Sequence, residues 1–180
     1  MNINVEPSLS IEGWMTEAEL TYLASVASRS SMIVEVGSWK GRTTRTLATH
    51  TTGLVMAVDT WGGSIAFEPS LRIDSDVFNE FSENLRGLRN VWPIPCTSLH
   101  AASLLTRVGA RFDLIFLDAD HEYESVRDDI NAWMPLLSPG GILCGHDYTA
   151  PPHPGVKQAV DELVGAVNII DTIWTTEDLG

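Results

Sequence analysis

The chain has 180 residues, 44% of them hydrophobic, with 24 acidic against 11 basic side chains and a formal net charge of −13. That length suits a single domain, 1–180, burying roughly 70% of the surface its unfolded chain would expose. The acidic excess excludes nucleic acid as a natural partner, because a phosphate backbone is bound through clustered Lys and Arg.

From the N-terminus, Met1 to Pro7 has no basic stretch followed by an apolar run, so neither a signal peptide nor a membrane anchor is expected, and the location is read as cytoplasmic. Thr16 caps a helix running to about Ser28, with Glu19 at the capping-box offset, and residues 1–30 form a helical segment packed on the core. Met32 to Val36 is the first strand, Thr43 to Thr49 a helix and Leu54 to Val58 the second strand. The stretch Gly62 to Asp74 is longer than an ordinary connection and reads equally as a substrate lid or a surface insertion.

Asp76 to Leu85 follows as a helix and Val91 to Ile94 as the third strand. Phe112 to Leu117 is a near-continuous apolar run, as in a strand covered on both faces, and a helix follows over Tyr123 to Met134. Pro139-Gly140-Gly141 turns into a fifth strand, Ile142 to Gly145. Gly155 to Val164 has helical spacing, and Val167 to Thr175 fits one strand or a tight pair. The alternation predicts an α/β fold: a single doubly wound, Rossmann-like domain whose mostly parallel sheet ends on an antiparallel C-terminal edge strand. Cys96 and Cys144 lie in or beside apolar strand-like segments without metal-ligand spacing and read as free thiols. Trp14, Trp92, Trp133 and Trp174 are expected to pack in the core, whereas Trp39, Trp61 and Tyr148 could face a ligand.

Polar residues cluster where these strands end, which in an open α/β sheet is where ligands bind. Glu35-Val36-Gly37, with Gly41 opening the next helix, allows close backbone approach to a ligand beside a carboxylate. Trp39 occupies the middle glycine position of a dinucleotide fingerprint and would crowd a pyrophosphate, which disfavours a nicotinamide cofactor. Asp59, ending the second strand, is placed to accept hydrogen bonds from ribose hydroxyls.

With Glu35-Val36-Gly37-Ser38-Trp39-Lys40-Gly41-Arg42, Val58-Asp59-Thr60-Trp61 and Gly145-His146-Asp147-Tyr148, the chain resembles the class I S-adenosylmethionine-dependent methyltransferases over nearly its whole length. Within them it is similar to small O-methyltransferases that include sugar-modifying enzymes. The resemblance implies that Glu35, Gly37, Ser38, Gly41, Asp59, Ser98 and Ala119 line the cofactor, with Ser98 and Ala119 toward adenine.

Asp118 and Asp147 follow adjacent strands, so their carboxylates could share a hard divalent cation, magnesium first, or serve as capping aspartates. The resemblance to metal-dependent catechol-type and macrolide-sugar enzymes favours the metal, but His146 stands where a carboxylate is usual in that family. It is therefore read as a nitrogen ligand, a supporting group, or the mark of a lost metal. His121 lies three residues beyond Asp118, at the offset where the resembled enzymes carry a lysine or histidine base, and a neutral imidazole can take a hydroxyl proton near neutral pH. His153 is a further candidate for substrate contact. The expected activity is methyl transfer from S-adenosylmethionine to an oxygen of a small polyhydroxylated acceptor, a sugar or glycoside. The alternatives are a catechol-like phenol acceptor, or a cofactor-binding module without catalysis; two copies could pair to complete the acceptor pocket.

Overall fold

Apolar and β-branched runs form the strands β1 (Met32–Val36), β2 (Leu54–Asp59), β3 (Val91–Pro95), β4 (Phe112–Leu117), β5 (Leu137–Gly145), β6 (Asn168–Ile170) and β7 (Ile173–Thr175). The structure is a computed structural model that describes residues 3–62 and 75–179. Residues 63–74 of the suggested lid lie outside the described residues. The strands join in one sheet of order β3-β2-β1-β4-β5-β7-β6, parallel from β3 to β5 and antiparallel at β7 and β6. This is the expected doubly wound sheet with an antiparallel C-terminal edge. The order reverses between β1 and β4, which opens a crevice at their carboxyl ends.

The helices are α1 (Glu6–Leu9), α2 (Glu17–Ala27), α3 (Arg42–His50), α4 (Ser75–Asn84), α5 (Ser98–Arg107), α6 (Tyr123–Trp133) and α7 (Pro154–Leu163). Side chains alternate across the central strands. Val34, Val36, Ile115 and Leu117 pack with Ala101, Ile130, Trp133 and Val160 on one face, while Ile33, Leu114 and Phe116 pack with Leu20, Leu23 and Leu47 on the other. With both faces covered, β1 and β4 have no solvent side, which is why each reads as an apolar run. The exceptions are Glu35, fully buried on the α2 and α3 face, and Asp113, whose carboxylate accepts from the Ser31 and Met32 N–H groups.

Three local features differ from the sequence reading, and one more, the second below, decides between two alternatives it left open. First, β5 begins at Leu137, so Pro139-Gly140-Gly141 is a bulge within the strand, not a turn before it; its register jumps from Phe112 opposite Leu137 to Leu114 opposite Ile142. Gly141 passes so close to β4 that a β-carbon there would stand 2.9 Å from the Phe112 carbonyl oxygen. Second, Val167 to Thr175 resolves as the tight pair β6 and β7, turned by Asp171 at φ 52°. Third, Trp14 and Trp92 are exposed, at 76% and 59%, because Trp14 stands on a surface loop against Trp39 and Trp92 on the edge strand β3. Fourth, Trp61 does not face the crevice; it is buried against Phe78 and Phe81.

Thr16 caps α2 through a reciprocal box: its hydroxyl accepts from the Glu19 N–H at 3.2 Å, and the Glu19 carboxylate accepts from the Thr16 N–H at 2.8 Å. The Thr16 hydroxyl also donates to Asp171 at 2.8 Å, tying the helix start to the β6–β7 turn. Thr16→Ala should therefore lower stability by about 1 kcal/mol, read as a reduced urea midpoint at unchanged slope.

Candidate active site

The first half of the site is the turn after β1. Gly37 adopts φ 92°, its N–H donates to the Val58 carbonyl at 2.8 Å, and a β-carbon would stand 2.0 Å from the Asp118 carbonyl oxygen. Only glycine fits there. The next N–H groups, of Ser38 and Trp39, both donate to Asp59 Oδ2 at 2.8 Å, while Asp59 Oδ1 accepts from the Trp61 N–H at 2.7 Å. Asp59 thus braces the turn from the end of β2. Trp39 is held at φ 41°, a conformation unusual for a bulky side chain, with its carbonyl accepting the Trp61 indole N–H at 2.8 Å. Gly41, at φ 85°, opens α3 against Phe81.

Glu35 lies beneath this turn. Its Oε2 accepts hydroxyl hydrogen bonds from Ser38, at 2.7 Å, and from Thr44, whereas its Oε1 is buried without a partner. Burial pushes its pKa up to about 8 against the pull of the two hydroxyls, and the nearby Asp118 and Asp59 add to the rise. An unsatisfied buried acceptor beside a cradle only glycine can line suits a ligand that carries positive charge and hydrogen-bond donors.

Ser98 opens α5, and its hydroxyl is engaged within the protein, donating to Asp129 and accepting the Trp133 indole N–H at 2.8 Å. What Ser98 leaves for an adenine is its backbone at the helix start. Ala119 lies beside the Gly37 turn and lines a pocket with Asp118, Asp120, His121, Asp129 and His146.

The second half gathers at the ends of β4 and β5. Leu117 pairs with Gly145, and the His146 N–H donates to the Leu117 carbonyl at 3.1 Å, so Asp118 and His146-Asp147 leave the sheet at the same level. Asp147 turns at φ 63°, left-handed backbone that Asp tolerates better than most residues. The His146 imidazole lies among three carboxylates: Nδ1 is 3.5 Å from Asp118 Oδ1 and 3.2 Å from Asp147 Oδ2, and Nε2 is 3.4 Å from Glu19 Oε1. Burial opposes its charge, but these carboxylates outweigh burial and push its pKa up to about 12. Asp147 is held far below the usual carboxylate range: burial works against this, and hydrogen bonds from His121 and His146 prevail. Asp118 is raised by burial despite His146.

His121 Nε2 lies 2.8 Å from Asp147 Oδ2, and its ring stacks on that of His153 with centroids 4.1 Å apart. The Asp147 contact raises the His121 pKa against burial.

Glu19 was legible in the sequence only as a helix cap. It is fully buried, and beyond the cap its Oε1 accepts from the N–H and hydroxyl of Thr172, at 2.9 and 2.7 Å, and faces His146. Burial works to raise its pKa, but this set of donors brings it down to about 2. One carboxylate thereby joins α2, the β6–β7 turn and the histidine of the site.

Asp118, His146 and Asp147 each offer one ligand atom, all within 4.8 Å of one another. Nδ1 faces the two aspartates and, at that raised pKa, carries a proton, so it can join them as a ligand only where a divalent cation displaces that proton; the Glu19 carboxylate on Nε2 would then fix the tautomer.

A family model described as a methyltransferase domain matches residues 34–148. No curated protein matches the sequence. Among solved structures, the fold is similar to the O-methyltransferase from Bacillus cereus in complex with SAH, at 15% identity and TM-score 0.70 over 95% of this chain and 89% of that one. It is also similar to CalS11, TDP-rhamnose 3'-O-methyltransferase, an enzyme in calicheamicin biosynthesis, at 14% identity and TM-score 0.66 over 87% of this chain and 76% of that one. A third is the SAH-bound Podospora anserina methyltransferase PaMTH1, at 16% identity and TM-score 0.64 over 90% and 78%. At such identities these likenesses establish the fold.

The folded-state pKa of Glu35, about 8, lies above its ordinary 4.5, so its contribution to stability is fully present below about pH 4.5 and lost as pH rises toward 8. Glu35→Gln removes that loss. Between about pH 5 and pH 8.5 the variant should gain on the wild type by on the order of a few kcal/mol in urea unfolding; a pH-independent difference would remove the assignment.

Proposed function

Because the chain belongs to the methyltransferase-domain family, matched over residues 34–148, and is an S-adenosylmethionine-dependent enzyme of that fold, we propose that it methylates a hydroxyl oxygen of a small polyhydroxylated acceptor, a sugar or glycoside. The observation that carries this reading is the Asp147–His121 pair at 2.8 Å, standing at the crevice onto which the Gly37 turn also opens.

Glu35, Gly37, Ser38, Gly41 and Asp59 would hold the methionine and ribose parts of the cofactor, with Ala119 and the Ser98 backbone toward adenine. His121 would donate Nε2–H to Asp147, which leaves the lone pair on Nδ1 as the proton acceptor and gives the resulting imidazolium a fixed counter-charge. His121 would take the proton of the acceptor hydroxyl, and S-adenosylmethionine would supply the methyl group to that oxygen, with S-adenosylhomocysteine keeping the electron pair of the carbon–sulfur bond. The protein's part is largely alignment, since well-oriented reactants save roughly 7–11 kcal/mol of barrier.

Asp118, Asp147 and His146 Nδ1 would hold a divalent cation, magnesium first, and Glu19 would keep the His146 proton on Nε2. A bound cation would lower the pKa of an acceptor hydroxyl.

Asp118, Asp120, His121 and Asp129 offer polar groups to hydroxyls in a pocket whose other walls, Leu117, Val126, Val156 and Trp174, are apolar. Likeness to the TDP-rhamnose 3'-O-methyltransferase points the same way. A catechol would need an apolar wall; Trp61, buried against Phe78 and Phe81, does not supply it, and Tyr148 is the remaining candidate.

S-adenosylhomocysteine release should be measured across glycosides and catechols, with magnesium and with a chelator. Magnesium-dependent release on glycosides is expected; release on catechols alone would replace the acceptor, and binding of the cofactor with silence across the panel would favour a non-catalytic module. His121→Ala should lose roughly 10²–10⁴ in rate while still binding the cofactor, and Asp118→Ala should lose the magnesium stimulation. Full activity in both variants would overturn these roles.

A further inference from the structure

Asp147 faces a second group of donors besides His146. His121, Asp147 and His153 also bring one ligand atom each within 4.8 Å of one another. They come from two loops: His121 from the one after β4, and Asp147 and His153 from the two ends of the one between β5 and α7. The loops are locked together. A β-carbon on Gly155 would stand 2.6 Å from the Tyr123 nitrogen and 2.8 Å from the His121 carbonyl oxygen, so α7 begins in direct backbone contact with the His121 segment. The His153 N–H donates to the Ala150 carbonyl at 2.9 Å and the Ala150 N–H to the Asp147 carbonyl at 3.2 Å, which closes the loop that carries both residues. The two imidazoles are stacked at an interplanar angle of 25°, so one ring must turn for both to aim an in-plane nitrogen at a common cation, and all three residues are partly open to solvent, which leaves room for that turn.

We propose that His121, Asp147 and His153 form a second cation site, sharing Asp147 with the Asp118–His146–Asp147 set and taking a borderline divalent cation such as zinc or cobalt in preference to magnesium. Two imidazoles and one carboxylate are a donor set that zinc, cobalt and nickel bind well, whereas magnesium favours oxygen ligands and retains its water. Partial exposure leaves the remaining coordination positions to solvent. Because Asp147 is common to both sets, a cation in either changes what that carboxylate offers the other. A cation here would also occupy a lone pair of His121, so zinc would inhibit methyl transfer; that consequence rests on the reading of His121 as the base, while the site itself does not.

The test is titration of the full chain with Co²⁺ in excess Mg²⁺, followed by the visible absorption of nitrogen-ligated cobalt, with Zn²⁺ as competitor. Cobalt should bind and be displaced by zinc; His153→Ala should weaken binding more than about tenfold, as loss of a ligand does, and Asp118→Ala should leave it within a few-fold. His153→Gln, which keeps a polar side chain before α7, should behave as His153→Ala does and guards against loss of fold. Absence of a cobalt signal in the wild type, or unchanged affinity in both His153 variants, would overturn the site. The titration needs no acceptor, so its failure is distinct from failure of the methyltransferase reading.

Discussion

The hydrogen-bond ladder of the parallel sheet runs one residue past the ends of its strands, and the site is built on that extension. Gly37 donates to Val58, Asp118 to Val36 and His146 to Leu117, at 2.8, 2.7 and 3.1 Å. Three strand ends are thereby cut off level, and the next side chains, from the Gly37 turn, Asp118 and His146-Asp147, are delivered to one rim. The glycine turn can sit against Asp118 only because it lacks a β-carbon. The Gly37 turn and the Asp118 and His146-Asp147 group are consequently held at a separation set by backbone geometry, independent of any flexible side chain.

The rim concentrates carboxylates in a chain that is already strongly acidic, and each carboxylate is accommodated differently. Asp59 spends its charge on three backbone N–H groups. Glu35, with two hydroxyl donors and one unpartnered oxygen, moves toward the protonated form. Glu19, Asp118 and Asp147 surround His146, and the imidazole becomes the positive centre of that group. These arrangements share one cause: a buried charge persists only where donors or an opposite charge replace its hydration.

Backbone strain collects in the same place. Among the described residues, three of the four non-glycine residues in left-handed conformations, Trp39, Trp61 and Asp147, lie on the loops around the crevice; the fourth, Asp171, turns β6 into β7. The surroundings hold them there: Trp39 and Trp61 are locked to each other and to Asp59, and Trp61 is buried between Phe78 and Phe81. Such strain persists only where packing and hydrogen bonds over-determine the conformation.

The sequence by itself determined the alternation of strands and helices, the capping box at Thr16 and Glu19, and the list of polar residues at the strand ends, because these depend on periodicity and turn chemistry within a few neighbours along the chain. Only the tertiary structure decided what those residues do to one another. Glu19 reaches Thr172 across 153 positions of sequence, Asp59 turns out to brace the β1 loop, Ser98 directs its hydroxyl to Asp129 and Trp133, and Trp61 packs inward while Trp14 stays outside. The bulge in β5 was hidden for a related reason: Pro-Gly-Gly has the local chemistry of a turn, and only its place beside β4 makes it part of a strand. Periodicity records which way a side chain points, whereas the partner it meets there is set by how separate segments pack.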